Sequence, residues 1–221
     1  MQESRIERTM LAEPPRPNSL LVALTATSLL WLVSAYAWNQ GDRVAELLAA
    51  DSTKIWDASE AWRLLTAVAV HADGSHLLAN SLLFCLLAYL LYGYYGFWVF
   101  PVATGILGAT ANWLALWTYL PQRVRLVGAS GVVYLMAGFW ITLYVLVERR
   151  YPLRRRLLRC AGVFLVVFLP TTVEPTVSYR THWIGLALGV TFAAAYFLVF
   201  RERIRRAEVS VPVWEESEEQ A

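Results

Sequence analysis

Leu126–Phe139, LVGASGVVYLMAGF, sets one hydroxyl, Ser130, among small residues at the head of an apolar helix. Gly128, Ala129 and Gly131 leave the backbone uncovered there, so a second chain can approach the serine and the loop can turn sharply into the helix. A nucleophile needs that access. The elbow of soluble hydrolases, G-x-S-x-G, is not met, because Val132 stands where its last glycine belongs. Small-Ser-Gly runs also arise where membrane helices simply pack, since small side chains let backbones touch. The rest of the chain must decide between packing and chemistry.

Of 221 residues, 57% are hydrophobic and 16% charged, which places the chain in the membrane class, with one domain by length. Cys85 and Cys160 lie in or beside apolar runs without C-x-x-C spacing, so neither a metal site nor a disulfide framework is indicated, and no cofactor is expected. The net charge of +2 comes from arginines clustered between apolar runs. That distribution speaks of membrane orientation and gives no sign of a nucleic-acid partner.

Six apolar runs are long enough to read as helical spans: about 20–38, 76–95, 97–119, 130–147, 157–170 and 182–200. The fifth is short, roughly 21 Å as a helix, and is expected to be loosely held. Residues 1–18 mix arginines, glutamates and three prolines, a polar tail expected not to pack and unlike a transit or signal peptide. The 39–75 stretch is polar with apolar faces, as in a loop lying at the interface, and Trp62-Arg63 within it reads as an aromatic and cationic anchor. Residues 201–221 form a second tail, ending in the acidic WEESEEQA, expected to be disordered. With six spans, one side collects 13 basic residues and the other 6. The first side is therefore cytoplasmic and carries both termini, and the 39–75 loop lies outside.

Under that topology the even-numbered spans begin at the outer face, with His76, Ser130 and His182 as their first residues. Polar residues in spans are costly and usually functional, and all three histidines of the chain fall on the outer side. Residues four apart share a helix face, which adds Asn80 to His76 and Tyr134 to Ser130. Gly185 and Gly189 share the face of His182. Their small size would let the fourth and sixth helices approach until Ser and His come within about 3 Å, as proton transfer requires. Tyr134 and Asn80 have packing readings as well, and His71 is read as structural.

These residues carry a resemblance to the rhomboid intramembrane serine proteases, from about Leu20 through Phe200. It rests on Trp62-Arg63, on His71, His76 and Asn80 as H-x-x-x-x-H-x-x-x-N, on Gly128-Ala-Ser130-Gly131 with Tyr134, and on His182 with Gly185 and Gly189. The resemblance implies a six-helix bundle in which Ser130 and His182 form a catalytic dyad. It further implies an oxyanion hole from His76, Asn80 and the Ser130 N–H, with Tyr134 packed against His182. The 39–75 loop would be half-submerged, and the fifth helix with the 171–181 loop would gate substrate access. The bulky Trp183 beside His182 departs from the family pattern.

The expected fold is thus an all-α, six-transmembrane-helix rhomboid-like bundle with both termini cytoplasmic. The expected activity is hydrolysis of peptide bonds in or near transmembrane segments of other membrane proteins. The expected setting is a multi-pass protein of a bacterial inner membrane, in contact with lipid, its active site opening to the extracytoplasmic side. An inactive rhomboid-like protein that binds membrane clients is the alternative, although the chain retains both serine and histidine. A small transporter would want charged or broken midplane helices, which the spans lack. H-E-x-x-H is absent, and so is a pair of intramembrane aspartates, which removes the metallo- and aspartyl-protease routes.

Overall fold

Eighteen uncharged residues make up the central helix, Ser130–Val147, and the Glu-Arg-Arg at 148–150 marks its end. The computed structural model describes residues 4–168 and 178–212. Its helices are α1 (Ser19–Asn39), α2 (Asp42–Leu48), α3 (Ser52–Asp57), α4 (Arg63–Thr66), α5 (Gly74–Tyr95), α6 (Thr104–Tyr119), α7 (Ser130–Val147), α8 (Leu153–Phe168) and α9 (Tyr179–Arg206). Four short strands make two antiparallel ribbons, β1 (Ser4–Arg8) with β4 (Val209–Pro212), and β2 (Ala50–Asp51) with β3 (Arg125–Leu126). A π-helical segment, Trp98–Ala103, leads into α6, and Phe100 inside it is extended ahead of Pro101. Proline disfavours helical geometry in the residue before it, so the span bends there.

Five helices among the described residues are long and apolar enough to cross a membrane: 19–39, 74–95, 98–119, 130–147 and 179–206. The chain is a mostly helical integral membrane protein. The expected 157–170 run becomes α8, which starts earlier, is 16 residues long and carries four arginines in its first seven positions. At 1.5 Å per residue it reaches about 24 Å. Residues 169–170 of that run, residues 171–177 of the following loop and the WEESEEQA end all lie outside the described residues.

α7 sits at the centre, packed against α5, α6 and α9. Leu77, Leu91, Leu135, Met136, Phe139 and Leu143 are fully enclosed around it. Toward the end near the chain termini the core turns aromatic: the ring of Tyr95 meets Phe139 at 5.2 Å and Tyr196 at 5.4 Å, both edge-on. Edge-to-face rings at these separations attract through their quadrupoles, beyond the area they bury.

Residues 4–18 are docked, contrary to the expectation of an unpacked tail. β1 pairs with β4 from Ser4 opposite Pro212 to Arg8 opposite Val209. Thr9 is fully buried and donates to Glu148 at 3.5 Å, while the Arg16 N–H donates to the Gly93 carbonyl at 3.1 Å. Pro15 lies where a side chain on Gly93 would be. The physical reason is proximity: each strand is too short to stand alone, but the bundle brings both chain ends together, and a glycine at the end of α5 leaves room for the proline.

Candidate active site

Between β3 and Ser130 the chain is neither helix nor strand, so its position depends on what holds it. Loop 39–75 supplies the hold. Val124 and Ser52 exchange hydrogen bonds at 3.0 Å, Ala50 and Asp51 pair with Leu126 and Arg125, and the Gly128 N–H donates to the Ala67 carbonyl at 2.9 Å. Gly128 has φ +105°, a conformation that side chains strain, and a Cβ there would meet His76 Cε1 at 2.8 Å. The His76 imidazole therefore lies directly against the backbone two residues before Ser130.

His71 closes the arrangement. Its Nε2 accepts the Ala129 N–H at 3.1 Å, its Nδ1 meets the Ser34 hydroxyl at 3.1 Å, and that hydroxyl also contacts the Ala69 carbonyl at 3.0 Å. With Ser34 donating to the carbonyl, Nδ1 carries the proton and donates to Ser34, and Nε2 keeps its lone pair for Ala129. The pattern demands a neutral ring. Burial, seconded by the nearby His76, lowers the His71 pKa from its ordinary value to about 4. Trp38 donates to the His71 carbonyl at 2.8 Å, so α1 braces the same point. His71 is thus the peg on which the serine loop hangs.

Arg63 is not an outward anchor. The residue is 4% exposed, and its guanidinium donates to the Glu46 carbonyl at 2.7 Å and to the Leu47 carbonyl and pairs with Glu60. It ties α2 to α4 and stiffens the loop from within, because the last carbonyls of α2 have no donor inside the helix. Trp62 remains 45% exposed, and the Arg63 guanidinium lies 4.8 Å from its ring centroid.

α5 begins at Asp73, whose side chain caps the helix by accepting the His76 N–H at 2.8 Å. The cap sets where His76 and Asn80 stand on the first turns. Asn80 is buried, and one of its amide hydrogens goes to the His76 carbonyl at 3.0 Å, which leaves the second free to donate elsewhere.

α7 and α9 meet backbone to backbone. A Cβ on Gly185 would lie 2.2 Å from the Gly131 carbonyl oxygen, and one on Gly189 would lie 2.0 Å from that of Leu135. Gly131 in turn faces the Thr181 methyl, which a Cβ would meet at 2.6 Å. The first turns of the two helices, with Ser130 and His182, are therefore side by side. The His182 ring stacks on Tyr134, centroids 4.2 Å apart and planes 11° from parallel, and is 3% exposed. Its Nε2 is buried and, among the described residues, no hydrogen bond reaches it, from Ser130 included. Trp183 is 57% exposed, so its bulk is directed away from this packing.

The start of α9 is latched to the end of α6. Ser178 caps α9, and its hydroxyl is 3.0 Å from the Tyr119 hydroxyl and 2.8 Å from that of Thr181. Arg180 donates to the Thr118 carbonyl and lies 4.4 Å over the Tyr119 ring. Sequence reading does not find this latch, since it joins residues about sixty positions apart. Among the described residues no group of three or more His, Cys, Asp or Glu could hold a metal ion.

A bundle of long apolar helices, with a buried histidine and a half-buried serine at the adjoining ends of two of them, defines an integral membrane protein. The Rhomboid domain model matches residues 58–199, and the chain belongs to the rhomboid family. That family consists in general of intramembrane serine proteases. No curated protein matches the chain.

Proposed function

We propose that the protein is an intramembrane serine endopeptidase that cuts transmembrane proteins in or near their membrane segments, with Ser130 as nucleophile and His182 as general base. The observation that supports this reading is the glycine-lined contact of α7 and α9, which brings the first turns of the two helices together, with His182 Nε2 buried and without a hydrogen-bond partner among the described residues. Ser130 Oγ attacks the peptide carbonyl carbon while Nε2 takes the hydroxyl proton. The tetrahedral oxyanion collapses, the proton passes to the leaving amine, and water then hydrolyses the acyl-enzyme by the same base. The buried carboxylate Glu148 lies at the far end of α7, so it cannot act as a third member. The stack on Tyr134 orients the imidazole instead. Catalytic hydrogen bonds are often open without substrate and tighten once it binds.

His76, Asn80 and the Ser130 N–H are the oxyanion donors in this account. Ser130 is the first residue of α7, so its N–H has no acceptor within the helix, and the positive helix end adds to the field.

The pairing of β1 with β4 supports a six-crossing topology. Strands that precede α1 and follow α9 pair only if they lie on one side of the membrane, which requires an even number of crossings. With five long helices among the described residues, α8 is the candidate for the sixth crossing. The arginine distribution favours that side as the cytoplasmic one, with the dyad opening outward.

The test is incubation of detergent-purified protein with a single-span substrate, beside Ser130→Ala. Cleavage by wild type alone is expected. Binding of the substrate without cleavage by either would favour a client-binding homologue.

A further inference from the structure

Three guanidiniums converge on one ring where α7 turns into α8. The Cζ atoms of Arg150, Arg155 and Arg159 lie 5.7, 4.9 and 4.2 Å from the Tyr151 centroid, so any two are within about 11 Å of each other. Arg159 also donates to the Tyr144 hydroxyl at 3.1 Å, which fixes its head in place. Beside them a cavity of about 420 Å³ opens between this turn and the terminal ribbon, lined by Arg5, Ile6, Glu7, Arg150, Tyr151 and Val211.

The charges there do not balance. Glu148 takes Arg150, with contacts of 2.6 and 2.7 Å, and Glu7 is the one carboxylate in the cavity wall. Among the described residues no carboxylate forms an ion pair with Arg5, Arg155 or Arg159. Cations gathered around a ring repel one another unless an anion joins them, and the ring face offsets only part of that repulsion.

We infer that this corner binds the phosphate headgroup of an anionic membrane lipid. Guanidinium forks match phosphate oxygens in pairs, and several converging forks select for charge. Position favours a lipid over a soluble phosphate. Arg159 is the last charged residue before the apolar remainder of α8, so the cluster stands at the edge of the hydrocarbon, where headgroups lie. Leu153, Leu157 and Leu158 are exposed beside it, as apolar shoulders for acyl chains. A bound headgroup joins the terminal ribbon to the base of α8, the helix that packs on α7 with most of its surface uncovered.

The test is native mass spectrometry of the full-length protein, delipidated in detergent and titrated with phosphatidylglycerol or phosphatidylcholine. Wild type is expected to retain phosphatidylglycerol in preference. At about fivefold per arginine near a membrane surface, Arg155→Gln with Arg159→Gln should weaken that retention about 25-fold. Both residues are exposed, and melting of the double variant in zwitterionic detergent is expected to match wild type. The control is Arg201→Gln with Arg205→Gln, exposed arginines that neither stack on the Tyr151 ring nor line the cavity, expected to change retention less than threefold. Equal retention of the two lipids, an unaffected Arg155/Arg159 variant, or an equal loss in the control would overturn the site. Inorganic phosphate displacing the lipid at comparable concentration would overturn the lipid assignment.

Discussion

Replacing Gly185 by alanine probes the contact on which the candidate dyad depends. The added Cβ would lie 2.2 Å from the Gly131 carbonyl oxygen, with the Gly131 carbon at 3.2 Å and the Leu135 nitrogen at 3.4 Å. Carbon and oxygen ordinarily approach no closer than about 3.3 Å. The obstructing atom is backbone, so no rotamer change relieves the clash, and α9 must move about 1 Å away from α7 at the turn that carries His182. Overpacking of this kind costs about 1–3 kcal/mol of stability, which a bundle of this size can absorb. Activity is more sensitive, because a misplacement of about 1 Å between reacting groups can cost about 100-fold. Initial cleavage rates of a single-span substrate in vesicles, beside melting curves, separate the two effects. The expected result is a folded protein with kcat/KM lowered about 100-fold. Gly162→Ala on α8, where nothing lies within 4 Å of the added carbon, serves as the control and should match wild type. A folded Gly185→Ala enzyme within threefold of wild type would refute the claim that backbone contact sets the dyad.

Three further outcomes are expected. The folded-state pKa of His71, about 4, lies below its ordinary value of 6.5, so the stability it contributes is complete above pH 6.5 and is lost as pH falls toward 4; melting temperature against pH should fall less steeply over that window in His71→Asn, and identical slopes would contradict the neutral-ring assignment. Asn80→Ala should lower kcat and kcat/KM together, by roughly tenfold to a thousandfold, because a donor to a developing oxyanion acts in the transition state; a raised KM with unchanged kcat would make Asn80 a binding residue. Tyr119→Phe removes the hydroxyl 3.0 Å from Ser178 and should lower kcat several-fold with KM unchanged, by loosening the turn before His182; a change in KM alone would place the latch outside the catalytic arrangement.

The parts of the molecule legible in its sequence are those with a period or a charge boundary. α7 was bounded at both ends, by the small residues before Ser130 and by Glu148-Arg149-Arg150 after Val147, and Gly185 and Gly189 declared one face of α9 through helical spacing alone. What escaped was contact between distant, non-periodic segments. His71 reads as structural within its H-x-x-x-x-H-x-x-x-N run, but its hold on Ala129, 58 positions away, and the neutral ring this demands are shown only by the fold. Arg63 looked like a lipid-facing cation because charge next to tryptophan suggests an interface; its actual partners are main-chain carbonyls, which a sequence does not display. The terminal ribbon was missed for a similar reason. β1 and β4 are short and largely exposed, and the partners they find lie at opposite ends of the described chain.

Reaction with a fluorophosphonate, followed by mass mapping of the modified residue, tests the central claim most directly, since it reports the activated hydroxyl without needing the natural substrate. The account predicts modification of Ser130 in wild type and a rate at least about 100-fold slower in His182→Ala, because the hydroxyl has lost its base. Equal rates in both proteins, or a modified residue other than Ser130, would contradict it.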